Sequence, residues 1–383
     1  MAAKPRFDGE WVRLGELISK APIERCGGRE YPVYSMTMRD GIVEQAGRFK
    51  KAIASKDTSS YKVVKKDQLV VGFPIDEGVI YVQNHDVPGI MSPAYNVWDF
   101  DCNLVNPAYL ELALHGPRSM AYYADKMRGT TARRRTLTAD GLCNLEIPLP
   151  SIDEQIRVVH VLDGVRSLIK GANRQIAELD ALVKSRFVEM FGENSKWEHA
   201  PLGEHVDILV GFPFKSSGYV DEGVNICGGL IIGQGKIDWG ACKHWPSIAG
   251  YEKYLLSSDD IVIALDRPWV KDGFKIAQVD ESHLPALLIQ RTARIKAIDF
   301  NQSFVRHLLE QPEFKEHCTV KGTMVPHISN KDIASYEVPV VPKQLQQEFA
   351  SFVAEVDKSR FIVQKQIEKL QTLYDSLAQE YFS

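Results

Sequence analysis

The sequence lacks the features that mark membrane, secreted and metal-bound proteins. No apolar run approaches the roughly 18–20 residues that span a bilayer, and residues 1–16 carry charges throughout, without the apolar core of a signal peptide. The six cysteines are widely scattered and form no Cys-x-x-Cys pair, which argues against a disulfide framework and against a structural zinc site. We therefore expect free thiols, no bound metal and a cytoplasmic location.

Catalytic motifs are equally scarce. The ten histidines include no His-Glu-x-x-His pair, and no Gly-x-Ser-x-Gly nucleophile elbow occurs. Residues 233–236, Gly-Gln-Gly-Lys, lack the upstream glycine and the final Ser or Thr of a phosphate loop. No nucleophile, ligand set or cofactor loop can be assembled, so we predict that the chain is not itself an enzyme and has no catalytic residues.

One stretch, Asn106-Pro107-Ala108-Tyr109, is similar to the Asn-Pro-Pro-Tyr motif of amino-group DNA methyltransferases. In that motif a polar side chain holds the target amine and an aromatic ring stacks on the flipped base. Here the second proline is alanine, and no glycine-rich turn for a methyl donor is present. An N-cap at Asn106 with Pro107 as the first helical residue explains the same residues, and we predict this cap.

A strongly basic composition is also lacking. The chain has 46 Lys and Arg against 50 Asp and Glu, a net charge of −4, so nucleic-acid binding would depend on local basic patches or on basic partners. Hydrophobic residues at 44% and charged residues at 25% are typical of a globular protein. A length of 383 residues suggests two or three domains.

An internal repeat organises the chain. Residues 175–191, QIAELDALVKSRFVEMF, recur as residues 366–382, QIEKLQTLYDSLAQEYF, with identical Gln, Ile, Leu, Ser, Glu and Phe positions. The same spacing places Gln155 on Gln346 and a Glu-Ile-Pro run on Glu-Val-Pro, and Leu-Gly-Glu begins each copy at residues 14–16 and 202–204. We predict four segments: a variable domain at 1–146, a helical region at 147–192, a second variable domain at 193–337 and a second helical region at 338–383.

The two helical regions carry apolar residues at the a and d positions of a heptad, in the same register. The seam comprises Leu162, Ile169, Ile176, Leu179 and Val183 in the first region and Val356, Val363, Ile367, Leu370 and Leu377 in the second; Arg186 and Arg360 interrupt it. A helix of about 40 residues is about 60 Å long and cannot hide such a stripe alone. We predict an antiparallel coiled coil related by a pseudo-twofold axis; the alternative is that each helix packs on its own domain.

The variable domains have the pattern of mixed α/β structure. Short β-rich runs at Gln68–Phe73, Gly78–Gln83, Asp260–Leu265 and Lys275–Val279 are followed by helical stretches at Asn106–Leu114 and Gln302–Leu309. The predicted fold class is therefore α+β, with two α/β domains separated by two long paired helices.

Local basic loops are the candidates for nucleic-acid contacts, since arginine grips guanine through two hydrogen bonds and cations hold phosphates. The first loop combines Thr130 with Arg133, Arg134 and Arg135, and its repeat partner contains Lys321, Thr323 and His327. Further candidates are Lys50, Lys51, Lys215, Ser216, Arg267, Trp269 and Lys271. For each, ordinary surface charge or a hairpin end remains the alternative.

The order of these segments and their duplication are typical of a known protein family. The chain resembles the specificity subunit of type I restriction–modification systems. The Ile-Pro-Leu-Pro run 147–150, the Asp-Glu-Gln run 153–155 and the helix end at 185–192 match that family's entry into and exit from its first helix. Residues 211–217, 290–295 and 327–329 are similar to its second recognition domain. The resemblance covers essentially the whole chain, although residues 338–342 depart from it and lack the Glu-Gln.

The resemblance implies that 1–146 and 193–337 are target-recognition domains, each binding one half of a split double-stranded DNA target. The central conserved region 147–192 and the distal conserved region 338–383 would fix the gap and dock two modification subunits. Those subunits would methylate adenine N6 with S-adenosylmethionine, and restriction subunits would add ATP- and Mg-dependent cleavage in host defence; this chain would hold no cofactor. A degenerate fused methyltransferase–endonuclease and a protein scaffold that does not bind DNA remain the alternatives.

Overall fold

The computed structural model describes residues 9–38, 40–48, 57–127, 135–192, 196–271, 273–318 and 326–383. Contacts divide the chain into two compact units: the first comprises the chain up to Arg174 together with Gln364–Ser383, and the second comprises Gln175–Val363. Each unit therefore contains one mixed domain and a segment of each of two long helices. The domain boundaries drawn from the repeat stay predictions, because the contacts divide the chain within these helices.

The first unit is an α/β domain around a four-stranded antiparallel sheet with strand order β2-β9-β6-β7. Its strands are β1 (Glu10–Arg13), β2 (Ile18–Lys20), β3 (Tyr34–Thr37), β4 (Gly41–Glu44), β5 (Lys62–Val64), β6 (Leu69–Val71), β7 (Ile80–Val82), β8 (Gly89–Met91), β9 (Asn96–Phe100) and β10 (Glu146–Leu149). Its helices are α1 (Gln45–Arg48), α2 (Pro107–Leu114), α3 (Pro117–Lys126), α4 (Ala139–Cys143) and the start of α5 (Ile152–Phe191). The pairs β1-β10, β3-β4 and β5-β8 complete it.

The second unit repeats this plan, with a sheet in the order β12-β20-β15-β18. Its strands are β11 (His199–Pro201), β12 (Val206–Val210), β13 (Val224–Cys227), β14 (Lys243–Trp245), β15 (Ile261–Ala264), β16 (Trp269–Val270), β17 (Gly273–Phe274), β18 (Ile276–Gln278), β19 (Ala286–Leu288), β20 (Thr292–Ala297) and β21 (Glu337–Pro339). Its helices are α6 (Gln302–Leu309), α7 (Pro312–His317), α8 (Asn330–Ala334) and the start of α9 (Lys343–Phe382). A smaller sheet, β14-β13-β19, a hairpin β16-β17 and the pair β11-β21 lie beside it.

The two sheets begin at equivalent turns. Asp67 and Asp259 precede β6 and β15, and both have left-handed backbone, with φ of 61° and 70°. Aspartate tolerates this conformation better than most residues. The Asp67 N–H donates to the Gln83 carbonyl at 2.8 Å, and the Asp259 N–H donates to the Val279 carbonyl at 3.0 Å. The short strands that the sequence predicted at these places are confirmed.

The long helices α5 and α9 each span 40 residues and pair within both units. In the first unit, Leu162 near the start of α5 shares a buried cluster with Leu377 near the end of α9, with Ile169 and Leu370 packed against it. In the second unit, the end of α5 contributes Val183 and the start of α9 contributes Val356 to another cluster. Since the start of each helix meets the end of the other, the pairing is antiparallel, and the predicted fold class is confirmed.

The remaining seam positions follow the same face. Four further seam residues are half-buried: Ile176, Leu179, Val363 and Ile367. The interruption at Arg360 has a partner on the opposite helix: its Nη2 lies 2.6 Å from the Asp180 Oδ1 in the second unit. The guanidinium thus replaces an apolar contact with an ion pair between α9 and α5.

The Leu-Gly-Glu segments that begin each repeat close the base of each domain. The Leu14 N–H donates to the Leu145 carbonyl at 2.7 Å, and the Leu202 N–H donates to the Tyr336 carbonyl at 2.8 Å. A Cβ on Gly15 would lie 2.7 Å from the Cβ of Cys143, and one on Gly203 would lie 2.9 Å from the Cβ of Ala334. The repeated glycine is therefore required by close approach to α4 and α8.

The repeated glutamines have one structural role. Gln155 and Gln346 are buried, with 0% and 1% of their surface exposed. Each side-chain oxygen accepts the backbone N–H of a helix N-cap, Asn106 or Asn301, at 2.7 Å. The Gln155 Nε2 donates to the Pro150 carbonyl at 2.8 Å, and the Gln346 Nε2 donates to the Val341 carbonyl at 2.7 Å. Each glutamine thus ties the start of a long helix to its domain.

Three further expectations from the sequence concern the cysteines, a bound metal and membrane-spanning segments. All six cysteines are free thiols. Within the described ranges, no group of three or more His, Cys, Asp or Glu side chains stands close enough to hold a metal ion. None of the described helices combines the length and the apolar character that crossing a membrane requires.

We predict that Gln155→Leu destabilises the protein by at least about 2 kcal/mol, because the Asn106 N–H and the Leu104 and Pro150 carbonyls lose their side-chain partner. The midpoint of urea unfolding measures the change. The matched control Gln175→Leu, at an exposed position of α5, should alter stability by less than about 0.5 kcal/mol. Equal midpoints for the two variants would contradict the assigned role.

Candidate nucleic-acid interface

In the second unit, two predicted candidate segments meet. The loop 265–275, which includes the hairpin β16-β17, contains Arg267, Trp269 and Lys271. The Arg267 N–H donates to the Pro326 carbonyl at 2.7 Å, and the Ile328 N–H donates to the Leu265 carbonyl at 3.0 Å. Between them, Asp266 and His327 form a β-bridge. The structure therefore brings His327 beside Arg267.

The first unit has the same junction. The Ile75 N–H, in the turn after β6, donates to the Arg135 carbonyl at 3.0 Å. This bond corresponds to the one from the Arg267 N–H, in the turn after β15, to the Pro326 carbonyl. The Arg135 side chain is engaged as well, with its Nη1 2.6 Å from the Asp76 Oδ2. In both units, a backbone hydrogen bond thus holds the end of the predicted basic loop against the end of the sheet.

Several predicted site residues lie outside the described residues: Thr130, Arg133, Arg134, Lys50, Lys51, Lys321 and Thr323. Their contacts with DNA stay predictions. Lys215 and Ser216 are exposed on a short turn that packs through Phe214 on Trp245, with ring centroids 4.7 Å apart. Lys271 is exposed at the tip of the β16-β17 hairpin.

Trp269 is an internal support of its hairpin. Its ring stacks on Phe274 at a centroid distance of 5.1 Å and contacts Phe314 at 6.2 Å. Lys315 lies over the same ring at 5.9 Å. These contacts hold the loop that carries Arg267, so the Trp269 indole helps to fix the position of Arg267.

A cationic pocket opens beside the Arg267 loop in the second unit, with a volume of about 560 Å³. Four basic side chains line it: Lys243, Arg267, Lys275 and Arg291. Burial lowers the pKa of Lys275, and the positive charge of Arg267 lowers it further, which reflects the crowding of like charges. The Arg291 Nη1 lies 2.9 Å from the Asp266 Oδ2, but the arginine side chain is still 71% exposed. A site of this kind attracts an anion.

Both arginines of this pocket have left-handed backbone. Arg267 has a φ of 45° and Arg291 a φ of 63°, a conformation that costs an arginine roughly 1–3 kcal/mol. The surrounding hydrogen bonds enforce it: the Arg267 N–H is held by Pro326, and the Leu265 N–H donates to the Arg291 carbonyl at 2.9 Å. The strained backbone places both guanidinium groups at the mouth of the same pocket.

The methyltransferase-like stretch is a helix start. The Asn106 side-chain oxygen accepts the N–H groups of Ala108 at 3.0 Å and Tyr109 at 3.1 Å, and Pro107 is the first residue of α2. Tyr109 is fully buried, and its hydroxyl donates to the Pro148 carbonyl at 2.9 Å. Its ring cannot stack on a flipped base, and the predicted cap is confirmed.

Sequence reasoning missed three of the four cations that line the pocket. Arg291 lies in a motif that the resemblance had singled out, but its left-handed backbone has no sequence signal. Lys243 begins β14 and Lys275 lies between β17 and β18, so the two meet only through the tertiary fold. The glycine pair 228–229 that precedes the exposed Leu230 at the pocket was the one local signal available, since paired glycines mark a tight turn.

Comparisons with known proteins agree with this architecture. No protein-family model matches the chain. The chain is 28% identical to the type I restriction enzyme MjaVIII specificity subunit of Methanocaldococcus jannaschii, over 95% of this chain and 89% of that protein. It is 33% identical to the type I restriction enzyme EcoAI specificity subunit of Escherichia coli, over 44% of this chain and 30% of that one.

Solved structures share the fold. A chain from a structure on the assembly and conformational transition of the type I R-M system is 19% identical, with a TM-score of 0.58 over 98% of both chains. The type I restriction-modification S subunit from M. genitalium is 14% identical, with a TM-score of 0.50 over 99% of both chains. The fold is thus that of duplicated α/β domains with two long paired helices. The curated homologues of this chain are specificity subunits of type I restriction enzymes, which confirms the resemblance inferred from the repeat.

Proposed function

We propose that the chain is the DNA-sequence specificity subunit of a type I restriction–modification enzyme, and that each α/β domain binds one half of a bipartite duplex target. The observation that carries the proposal is the repeated junction, in which the turn after β6 or β15 is hydrogen-bonded to the end of a basic loop. Two copies of one surface suit two half-sites along one duplex. Curated homologues with this role over most of the chain support the same conclusion.

The local charges account for DNA binding by a chain of negative net charge. Lys243, Arg267 and Arg291 stand at one pocket mouth, and exposed guanidinium groups suit phosphates and base edges. Asp266 pairs with Arg291 and orients it without covering it. The excess of acidic residues elsewhere in the chain does not oppose this binding. Salt screens the repulsion between those residues and the phosphates at distances beyond roughly one Debye length, about 8–10 Å in physiological salt.

We propose that the long helices dock two modification subunits. Leu182 on α5 and Leu373 on α9 are equivalent in the repeat, lie outside the predicted seam and are 49% and 46% exposed. An identical apolar residue at the same exposed position of both copies fits two identical partners. Methylation of adenine with S-adenosylmethionine, and ATP- and Mg-dependent restriction, would then belong to the partner subunits, and this chain would perform no reaction itself.

The other function classes fit less well. A degenerate methyltransferase would need an accessible Tyr109, and that ring is buried. A scaffold without DNA binding leaves the strained arginines and the cationic pocket without a purpose, because backbone strain of this kind is retained where function requires it. DNA binding by the full chain separates the proposal from both.

We predict that the triple variant Lys243→Ala, Arg267→Ala, Arg291→Ala weakens duplex binding and flattens its salt dependence. Each lost phosphate contact should reduce the slope of log affinity against log salt by about 0.9. Fluorescence anisotropy with a target duplex between about 50 and 200 mM salt measures both quantities. The control Lys358→Ala removes an exposed cation of α9 and should change neither. A triple variant with the wild-type slope would contradict the assigned interface.

We further predict that Leu182→Asp and Leu373→Asp each abolish one docking site, because a charge placed in an apolar contact is desolvated without a partner. Native mass spectrometry with the purified modification subunit should find two copies on the wild type, one on each single variant and none on the double variant. Ile248→Asp, at an exposed residue of the second domain, serves as the control. Two copies on the double variant would place the docking surface elsewhere.

A further inference from the structure

Leu230 is the most exposed of the large hydrophobic residues described in this chain, with 98% of its surface accessible. Burial of a leucine side chain stabilises a protein, and Leu230 gains none of that stabilisation within this unit. Scattered exposed apolar residues are common on protein surfaces. The setting of Leu230 is what distinguishes it.

The turn that carries Leu230 is fixed on both sides. The Ile231 N–H donates to the Gly228 carbonyl at 3.1 Å, and the Lys275 ammonium donates to the Gly229 carbonyl. Directly after Leu230, Ile231 and Ile232 are buried, with 7% and 1% of their surface exposed. The leucine therefore projects from a turn anchored to the core, at a constant position.

The turn also lies close against the main sheet. A Cβ added at Gly229 would lie 3.5 Å from the Ala264 Cβ, at the end of β15. The Asp238 N–H donates to the Ile231 carbonyl at 2.8 Å, and the Gly233 N–H donates to the Lys236 carbonyl at 2.9 Å. These bonds form a short hairpin behind the turn, which resists displacement of Leu230 when a ligand presses on it.

The neighbours of Leu230 include four cations, beside apolar residues such as Ile231 and Ile289 and the carboxylate of Asp266. Leu230 lines the same pocket as Lys243, Arg267, Lys275 and Arg291. Docking of an apolar protein segment would desolvate these four cations and neutralise none of them. A nucleic-acid duplex satisfies both features, since its phosphates pair with the cations and its stacked bases offer an apolar interior.

We propose that Leu230 is a wedge that enters the bound duplex at a base step, while the surrounding Lys and Arg side chains hold the flanking phosphates. Apolar side chains inserted in this way partly unstack the bases and bend the duplex. The second domain would then recognise its half-site partly through the ease with which that step deforms. This inference rests on the proposed function, because it takes duplex DNA as the ligand.

The test uses the full chain and a duplex whose target has been mapped by adenine methylation, with 2-aminopurine placed at successive positions of the second half-site. Binding of the wild type should raise 2-aminopurine fluorescence at one step, where stacking is lost. Leu230→Ala should abolish that increase and weaken binding roughly tenfold, because most of the buried apolar area is removed. Its salt slope should equal that of the wild type, since no charge is lost.

Two further variants keep the test specific. Leu230→Met retains an apolar side chain of similar length and should restore the fluorescence increase. Ile298→Ala removes another exposed apolar side chain of the second unit, outside the residues that line the pocket, and should behave as the wild type. Because Leu230 is exposed, the alanine variant should unfold at the wild-type midpoint, so a folding defect does not enter the comparison.

The outcomes separate this inference from the proposed function. A wild-type chain that binds no duplex, or binds it without salt dependence, overturns the proposed function. A wild type with salt-dependent binding, matched by Leu230→Ala in affinity and in fluorescence, overturns the wedge alone. Unchanged DNA binding combined with loss of modification-subunit assembly would also overturn it, because Leu230 would then contact protein.

Discussion

The apolar stripe along each of the two 40-residue helices is the constraint on which the rest of the structure depends. A helix of this length exposes its stripe to water unless another surface covers it. Here the start of each helix is covered by the end of the other, together with one α/β domain. Each unit is consequently built from segments distant in sequence: residues up to Arg174 with Gln364–Ser383, and Gln175–Val363.

Small repeated contacts attach the domains to this helical frame. Gln155 and Gln346 bind the N-cap residues of α2 and α6, and the ends of α5 and α9 bring aromatic side chains against the same helices. Phe382 lies 5.6 Å from Tyr109 in the first unit, and Phe191 lies 4.9 Å from Phe304 in the second, as ring centroid distances. Duplicated residues thus serve duplicated joints, whereas the loops that face the ligand are free to differ.

Much of the fold could be predicted from the sequence, because the signals concerned are local or periodic. The heptad seam, the Asn106-Pro107 cap and the aligned glutamines each reflect a rule that acts within a few turns of chain. The division of each helix between two units had no such signal. This division depends on how apolar side chains are buried throughout the molecule. The repeat predicts that the two helices pair, but not where each helix passes from one unit to the other.

The candidate site was less predictable for the same reason. Arg267 was identified from a local cluster of cations and an aromatic residue, but Trp269 proved to pack on Phe274, which no spacing indicates. Arg291 and Lys275 directly precede the strands β20 and β18 and reach the pocket from there, so their proximity is a property of strand order. Leu230 follows a glycine pair that marks only a turn, and its exposure and its cationic neighbours are visible only in the structure.

In the proposed function, two equivalent domains bind two separated halves of one DNA target. Hydroxyl-radical footprinting of the full chain, assembled with its modification subunits on a duplex that carries the mapped target, tests it most directly. We expect two protected tracts separated by a less protected gap, and loss of one tract when the bases of one half-site are changed. A single protected tract, or loss of both tracts together with protein still bound, would contradict it.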